Sequence, residues 1–472
     1  PVTGLATLAL TYFNRGVLGY FLLINGVYLI LMVAAAVELY RHRWETGTTT
    51  PSRVLSSELM PRITMLVPAY NEAATIGPSL QALLTLTYAN LEIVVVDDGS
   101  TDTTTALLTA SFDLVPAQPL YHPQVPTAAI SGIFRSRRFP NLIVVAKANA
   151  GKADALNTAL NVASGELVCA VDADTILEAD ALQRLVRPFI RSDDVIAAGA
   201  TIRVANGCVT RHGRICEERA PRAALPALQA VEYLRAFLFG RLGWNRLGGN
   251  LVISGAFGLF RLDALIEAGG YASTVGEDME LVVRLRRLGY ERHRPSRVEF
   301  VPDPIAWTEA PATLTALGRQ RDRWHRGLSE VLWRHRGLFG NPRYGLLGLV
   351  TFPVFVIVEW LAPVVEAAGM VALPAGLLLG AVDGRFAALY FAAAYGLGLL
   401  LSTIALLFEE LAFRRYGRPA HRAGLLGWSL LENLGYRQLT VYWRLRGSLG
   451  HLRGRTTWGT MDRRGFNAHP DA

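Results

Sequence analysis

Apolar positions along this chain fall into two regimes. Toward both ends they form long unbroken blocks. Residues 16–37 (GVLGYFLLINGVYLILMVAAAV) run for 22 residues without a charge, and residues 386–408 for 23. Each could cross a hydrocarbon core as a helix, which takes about 20 residues. Between 344 and 382 only Glu359 and Glu366 are charged. As one helix that stretch would measure roughly 58 Å, nearly twice a ~30 Å core. The pattern therefore predicts a span with a re-entrant segment, or a hairpin broken near Pro363 and Pro374. In 425–443 the block becomes a rhythm: Ser429, Glu432, Asn433, Tyr436, Arg437 and Thr440 recur at helical spacing. This predicts one helix with a polar stripe, lying on a membrane surface or lining a hydrated path.

The middle of the chain has shorter apolar runs, each closing on a polar cluster. They are "ITMLVPAYNE" (63–72), "LEIVVVDDGSTD" (91–102), "LIVVAKANAGKADALNTAL" (142–160) and "GELVCAVDADT" (165–175). Strand-like runs alternating with helical segments predict a parallel sheet with helices on both faces. Ligands of such sheets gather beyond the carboxyl ends of the strands, where these clusters fall. No GxGxxG follows the first strand and no GxxxxGK[ST] occurs, which disfavours a dinucleotide oxidoreductase and a P-loop ATPase. The chain thus reads as an N-terminal span (1–45), a soluble block (60–312), a connecting segment (313–342), a second apolar region (343–445) and a basic tail (446–472). The stretch 113–139, with "FRSRRF", reads as a basic surface loop.

Composition sharpens this picture. The chain has 472 residues, 51% of them hydrophobic, more than one ordinary domain uses. Arg41 and Arg43 follow the first span, and "RRYGRPAHR" follows 386–408; the positive-inside rule places both segments in the cytoplasm. Cys169, Cys208 and Cys216 have no CxxC spacing and read as reduced thiols. The net charge is +8, yet no stripe of basic residues interleaves with aromatics, so nucleic acid is not an expected partner. Anionic lipid headgroups and a phosphate-bearing substrate fit the charge better. Lys147 and Lys152 are the only lysines among 47 basic residues. In an arginine-rich chain a retained lysine points to a place that needs an ammonium.

The candidate chemistry lies at the strand ends. Asp97 and Asp98 precede Gly99, which alone would be an ordinary turn. Asp172 and Asp174 flank Ala173, a spacing that points both carboxylates the same way and suits Mg²⁺ or Mn²⁺ beside phosphates. Lys152 opens a helix after a glycine turn, where an ammonium and free backbone N–H groups would neutralise a phosphate. Asp278, between Glu277 and Glu280 in "GEDMEL", is either ordinary acid enrichment at a helix start or a general base.

Seven motifs occur in a fixed order: "VPAYNE", "VVVDDGSTD", "NAGKADALN", "VDADT", "SGAFGLF", "GEDMEL" and "TEAP" followed by "QRDRW". Over about residues 60–340 the chain resembles the membrane-embedded family 2 glycosyltransferases, which include poly-N-acetylglucosamine, hyaluronan, chitin-oligosaccharide and cellulose synthases. Each motif alone is weak; seven in order are specific. The resemblance implies an α/β GT-A domain with a Rossmann-like mixed sheet, fused to transmembrane and interfacial helices. It also implies inverting transfer from a UDP-sugar with Mg²⁺ or Mn²⁺. Residue by residue, it implies that Pro68, Tyr70, Glu72, Asp97 and Asp98 surround the uracil and ribose, and that Lys152 contacts the nucleotide. Asp172 and Asp174 become the metal and diphosphate pair, and Asp278 the catalytic base. Gly255, Ala256, Phe257 and Glu277 fall on the acceptor side with Gln320 and Trp324, where Trp324 stacks on a sugar and Arg323 faces the diphosphate. Gly276 departs from the threonine that many relatives carry there. The implied partners are a UDP-sugar, a polysaccharide or lipid acceptor, membrane lipid and a small membrane subunit. The implied location is the bacterial plasma membrane, multi-pass, with a cytoplasmic catalytic domain. N-acetylglucosamine is the first expectation for the sugar and glucose the second. A transferase adding one sugar to a lipid or short acceptor would keep every donor motif. An inactive sugar-binding scaffold would have no need of Asp172, Asp174 and Asp278.

Overall fold

The computed structural model describes residues 2–47, 57, 59–118, 121, 123–211, 213–413 and 419–455. Residues 414–418 of "RRYGRPAHR" and residues 456–472 of the basic tail lie outside the described residues. The chain forms two compact units. One holds residues 41–219 and 248–310. The other holds residues 2–40, 220–247 and 311–455. The block 60–312 is therefore interrupted: Ala220–Leu247 belongs to the helical unit.

Among its described residues the first unit contains twelve strands: β1 (Ile63–Ala69), β2 (Leu91–Asp97), β3 (Leu114–Pro116), β4 (Ile130–Ser136), β5 (Leu142–Lys147), β6 (Leu167–Val171), β7 (Ile176–Leu177), β8 (Val195–Val204), β9 (Val209–Arg211), β10 (Arg214–Glu217), β11 (Phe257–Arg261) and β12 (Arg297–Thr308). Ten form one sheet in the order β3-β4-β5-β2-β1-β6-β11-β8-β12-β7, and β9 pairs with β10 in a separate hairpin. The centre, β5-β2-β1-β6, is parallel as the alternating pattern predicts. The sheet as a whole is mixed, because β11 runs against both β6 and β8 and β4 runs against β5. The link from β4 to β5 is hairpin-length, too short for the crossover that a parallel partner needs. The 113–139 insertion is thus not a plain loop. It supplies β3 and β4 at the sheet edge, and β3 is only three residues long, which leaves little edge to pair with, while Arg135, Arg137 and Arg138 are exposed beside it.

Every residue of β2 is buried, as expected for a strand covered on both faces. Leu66, Val94, Val96, Ile143 and Val145 share one core with Leu156 and Leu160 of helix Lys152–Val162 and with Leu281, Val282 and Leu285 of helix Glu277–Glu291. That shared core brings the starts of these two helices to the same edge of the sheet.

Among the described residues three helices are long and apolar enough to cross a membrane: Gly4–Glu45, Leu347–Leu378 and Gly384–Ala412. The first and third contain the uncharged runs 16–37 and 386–408. The middle one is interrupted at Leu361, beside Pro363 in the first turn of helix Ala362–Leu378. Pro374 lies inside that helix and does not end it, so Leu347–Leu378 continues as one 32-residue helix with a bend at Leu361, and the expected hairpin or re-entrant segment does not form there. A proline in the first turn gives up no intrahelical bond.

The 425–443 segment is not one helix. Helix Pro419–Leu431 stops and helix Tyr436–Leu452 starts at Gly435, whose φ of 83° favours glycine. The polar stripe faces protein, with Ser429, Glu432, Asn433 and Tyr436 buried, while Leu430, Leu431 and Leu434 are exposed. Arg235 grips Glu432 with two hydrogen bonds, of 2.7 and 2.6 Å. Further along, Arg437 meets Glu366 at 2.9 Å and Arg444 meets Glu359 at 3.8 Å. The two arginines and the two glutamates are both seven apart and pair in opposite order, so each rung fixes the same register.

Candidate active site

The polar clusters converge where the sequence pattern expects them. Tyr70–Glu72 follow β1, Asp98 follows β2, Asn149–Lys152 follow β5, and Asp172–Asp174 follow β6. All four strands run parallel, so these turns share the carboxyl edge. The antiparallel β11 brings its beginning to the same edge, with Phe257 opposite Val171 and Asp172 N–H donating to Ala256 O at 3.4 Å.

Lys152 is the hub. Its Nζ lies 2.8 Å from Asp172 Oδ1 and 3.2 Å from Glu277 Oε1. Burial works against the ammonium, but Asp172, Glu277 and Asp278 outweigh it and hold the group well above the ordinary lysine range. It therefore stays charged throughout the neutral range. Glu277 is buried, and that burial pushes its carboxyl above the usual carboxylate range against the pull of Lys152. Asp278 is half-buried at the second position of its helix. Its Oδ2 accepts from Gly255 N–H at 3.1 Å and its Oδ1 from Met279 N–H at 2.8 Å. A Cβ on Gly255 would touch Asp278 and Lys152 Nζ at 3.6 Å, so this glycine floors the gap between them. Glu280 is turned away into an ion pair with Arg284 at 2.9 Å.

Asp172 and Asp174 are half-exposed and Ala173 between them is buried, so the two carboxylates face out of the sheet edge. Among the described residues no group of three or more His, Cys, Asp or Glu could hold a metal ion by itself. Two hard carboxylate donors nonetheless fit Mg²⁺ or Mn²⁺, which take one or two carboxylates and complete their shell with water and substrate phosphate.

The turns after β1 and β2 are laced together. Asn71 Oδ1 accepts from Thr101 N–H at 2.8 Å, and Glu72 N–H donates to Thr104 Oγ1 at 3.0 Å. Tyr70 is half-exposed on this edge and Pro68 lies within β1. Asp97 and Asp98 are both buried and engaged by protein donors. Asp97 accepts from Ser100 N–H at 2.9 Å and from the Thr105 hydroxyl. Asp98 accepts from Ala150 N–H at 3.1 Å and Gly151 N–H at 2.7 Å. Sequence reasoning passed over Asn157. Its side chain accepts from Tyr271 N–H at 2.7 Å and donates to Tyr271 O at 3.0 Å, tying the Lys152 helix to the loop that precedes Glu277. Only its place inside "NAGKADALN" hinted at this.

Gln320, Arg323 and Trp324 lie in the other unit, on helix Leu314–Arg334. Gln320 is buried, Arg323 half-buried and Trp324 45% exposed. Arg321, within the same pentapeptide, is buried and pairs with Glu232 at 2.7 Å. Its guanidinium lies 4.5 Å from the Trp324 ring centre, and Tyr233 flanks that ring at 6.5 Å. The outer face of Trp324 is thus backed by a fixed cation and a second ring. The Tyr436 hydroxyl also bonds Glu232, at 2.6 Å. Arg321→Met would leave Glu232 and Tyr436 without their cation. Arg321 is buried but Glu232 is 27% exposed, so removing the cation costs about 1–3 kcal/mol. Thermal unfolding in detergent is expected to shift down by several degrees, with a change in Trp324 fluorescence; an unchanged midpoint would rule the network out as a support. The helix is also seated closely on helix Tyr436–Leu452. A Cβ on Gly318 would lie 2.6 Å from Trp443 Nε1, and one on Gly447 2.5 Å from Asp322 O.

Comparison with known proteins bears on this architecture. Residues 64–268 match the profile "Glycosyl transferase family 2", and residues 167–402, half the chain, match "Glycosyl transferase family group 2". Poly-beta-1,6-N-acetyl-D-glucosamine synthase of Staphylococcus aureus (strain COL) is 30% identical over 274 residues, 58% of this chain and 56% of that protein. The Staphylococcus epidermidis protein of the same name is 29% identical over 273 residues, again 58% of this chain and 56% of that protein. The chain thus spans about half the length of the curated relatives it matches. Among solved structures, the mannosyltransferase PcManGT of Pyrobaculum calidifontis, in complex with GDP-Man and Mn²⁺, shares the fold with a TM-score of 0.51 at 20% identity, covering 89% of this chain and 99% of that one. A GT-A-type mixed sheet with these motif-bearing turns on its carboxyl edge, joined to apolar helices, places the chain in the family 2 glycosyltransferases, to which it belongs.

Proposed function

We propose that this chain is an inverting, metal-dependent membrane enzyme that moves a sugar, N-acetylglucosamine in the first instance, from a UDP-sugar to a growing β-linked polysaccharide. The observation that carries the reading is the cluster of Lys152, Asp172, Glu277 and Asp278 around Gly255. An acceptor hydroxyl attacks the anomeric carbon, and Asp278 takes its proton as the new bond forms and the bond to the diphosphate breaks. One base suffices for a single displacement, which inverts the anomeric centre. Lys152 meets the charge that appears on the departing nucleoside diphosphate. Asp172 and Asp174 would hold a divalent ion, which when bound supplies further neutralisation of that diphosphate. A solved protein of the same fold carries Mn²⁺ with its nucleotide sugar. Tyr70 and Glu72 border the uracil and ribose, and Asp97 and Asp98 shape the turns beneath them. Gln320, Arg323 and Trp324 keep the acceptor and diphosphate roles that the family resemblance gives them.

The curated relatives bear the name of a poly-β-1,6-N-acetylglucosamine synthase, which supports both the polymer and the sugar. Three helices able to cross a membrane support a multi-pass protein in the bacterial plasma membrane, with the sheet unit in the cytoplasm and the helices offering the product a route outward. The test is purified protein with Mg²⁺ or Mn²⁺ and a panel of UDP-sugars, reading UDP release and product mass. UDP-N-acetylglucosamine is expected to give the fastest release and a ladder of products. A single added sugar would mark a non-processive transferase, and no release from any donor would overturn the reading.

A further inference from the structure

Lys147 is the second of the two lysines, and its side chain is fully buried, at 0% exposure. Its ammonium meets three acceptors: Asp98 Oδ1 at 2.5 Å, Asp154 Oδ1 at 2.8 Å and Ala148 O at 2.6 Å. An ammonium has three N–H bonds to give. The site consumes all of them from one point. A guanidinium spreads its donors in a plane and is larger, so it cannot serve three acceptors converging on one atom in a closed space. This accounts for a lysine here in a chain whose other basic residues, Lys152 apart, are all arginine.

The acceptors belong to separate pieces of the carboxyl edge. Asp98 follows β2, Ala148 follows β5, and Asp154 lies in the first turn of helix Lys152–Val162. Asp98 also holds the turn itself, through the N–H groups of Ala150 and Gly151 and through its own carbonyl, which accepts from Asn149 Nδ2 at 2.8 Å. Asp154 in turn accepts from Ala128 N–H at 3.1 and 3.2 Å. Without the ammonium, the buried carboxylate of Asp98 and the half-buried one of Asp154 would face each other across the turn and repel. Gly151, at φ 92°, then delivers the chain into Lys152.

We infer that Lys147 is a positioning residue: by holding Asp98 and Asp154 together it fixes the Asn149–Gly151 turn and so sets where Lys152 meets a nucleoside diphosphate. The inference rests on the donor-site role proposed above for Lys152.

The test uses the full chain in detergent and four proteins: parent, Lys147→Arg, Lys152→Met and the double variant. UDP affinity is measured with Mn²⁺ present, together with hydrogen exchange at the Ala150 and Gly151 amides. Lys147→Arg is expected to weaken UDP at least tenfold, and in the Lys152→Met background to weaken it by less than twofold more. The two amides should exchange at least tenfold faster in Lys147→Arg, with β1 and β2 unchanged. Equal losses with and without Lys152 would overturn the inference, as would UDP affinity within twofold of the parent. If Lys152→Met itself leaves UDP affinity intact, the donor-site reading fails separately, and unchanged amide exchange in Lys147→Arg would then overturn the positioning role as well. If Lys147→Arg does not fold, Asp154→Asn keeps the ammonium and the Asp98 pair. It should show the same pattern at smaller size, and its absence would count against the inference equally.

Discussion

Asp174→Asn is expected to abolish turnover and to weaken UDP binding. Asp172 already shares one oxygen with Lys152 at 2.8 Å, so in the proposed metal site Asp174 would supply the second carboxylate. Asparagine keeps the shape and one oxygen but loses the charge. Removing one preorganised element of charge stabilisation from an active site costs about 10²–10³ in rate, and here the same change also reduces the protein's hold on the ion. The measurement is UDP release and UDP affinity over a titration of Mg²⁺ or Mn²⁺. The variant should need far more metal for any residual binding. Near-normal UDP release with EDTA present would refute the metal assignment.

Asp278→Asn should separate binding from transfer. The substitution conserves size and leaves the Gly255 N–H a carbonyl oxygen to bond, but removes the proton-accepting capacity. Lys152 and the Asp172–Asp174 pair remain, so UDP should bind within a few-fold of the parent. Transfer should fall by roughly 10²–10⁴-fold, the usual scale for a general base. Neither neighbour can take over. Glu277 is buried against Lys152 at 3.2 Å, and Glu280 is held by Arg284 at 2.9 Å. Both readings should come from one preparation. Transfer within tenfold of the parent, or a collapse of UDP affinity alongside it, would remove Asp278 from the role of base.

The strand ends were legible in the sequence because each parallel strand there is a short apolar run that closes on polar residues, and geometry carries such ends to one edge. Asp172 stands out for the same reason, Lys152 as one of two lysines opening a helix after a glycine turn, and Asp278 as an acid at a helix start. Strand direction was not legible. "SGAFGLF" has the same alternation read either way, and only the pairing of Phe257 with Val171 reveals that β11 runs against its neighbour. The break before Tyr436 was hidden by phase. Glu432 and Tyr436 are four apart, so the polar stripe stays in step across a gap in the helix, and Gly435 was the one local sign. Ala220–Leu247 carries apolar residues that suit either unit, and membership is decided by partners distant in the chain. Lys147 left a compositional trace, but the acceptors that explain it come from three separate segments.

The glycines at 318 and 447 give the "QRDRW" helix an unusual kind of control. They carry no functional group, yet Gly447 lets its backbone close on the Asp322 carbonyl and Gly318 makes room for the Trp443 ring, so the two helices lie closer than side chains there would allow, and one of them bears the exposed ring of Trp324. A methyl group at either position would wedge the pair apart and tilt the ring without altering an atom of the pentapeptide. The aim of the tryptophan is thus adjustable from the rear of its own support, by residues that an inventory of chemical groups would pass over.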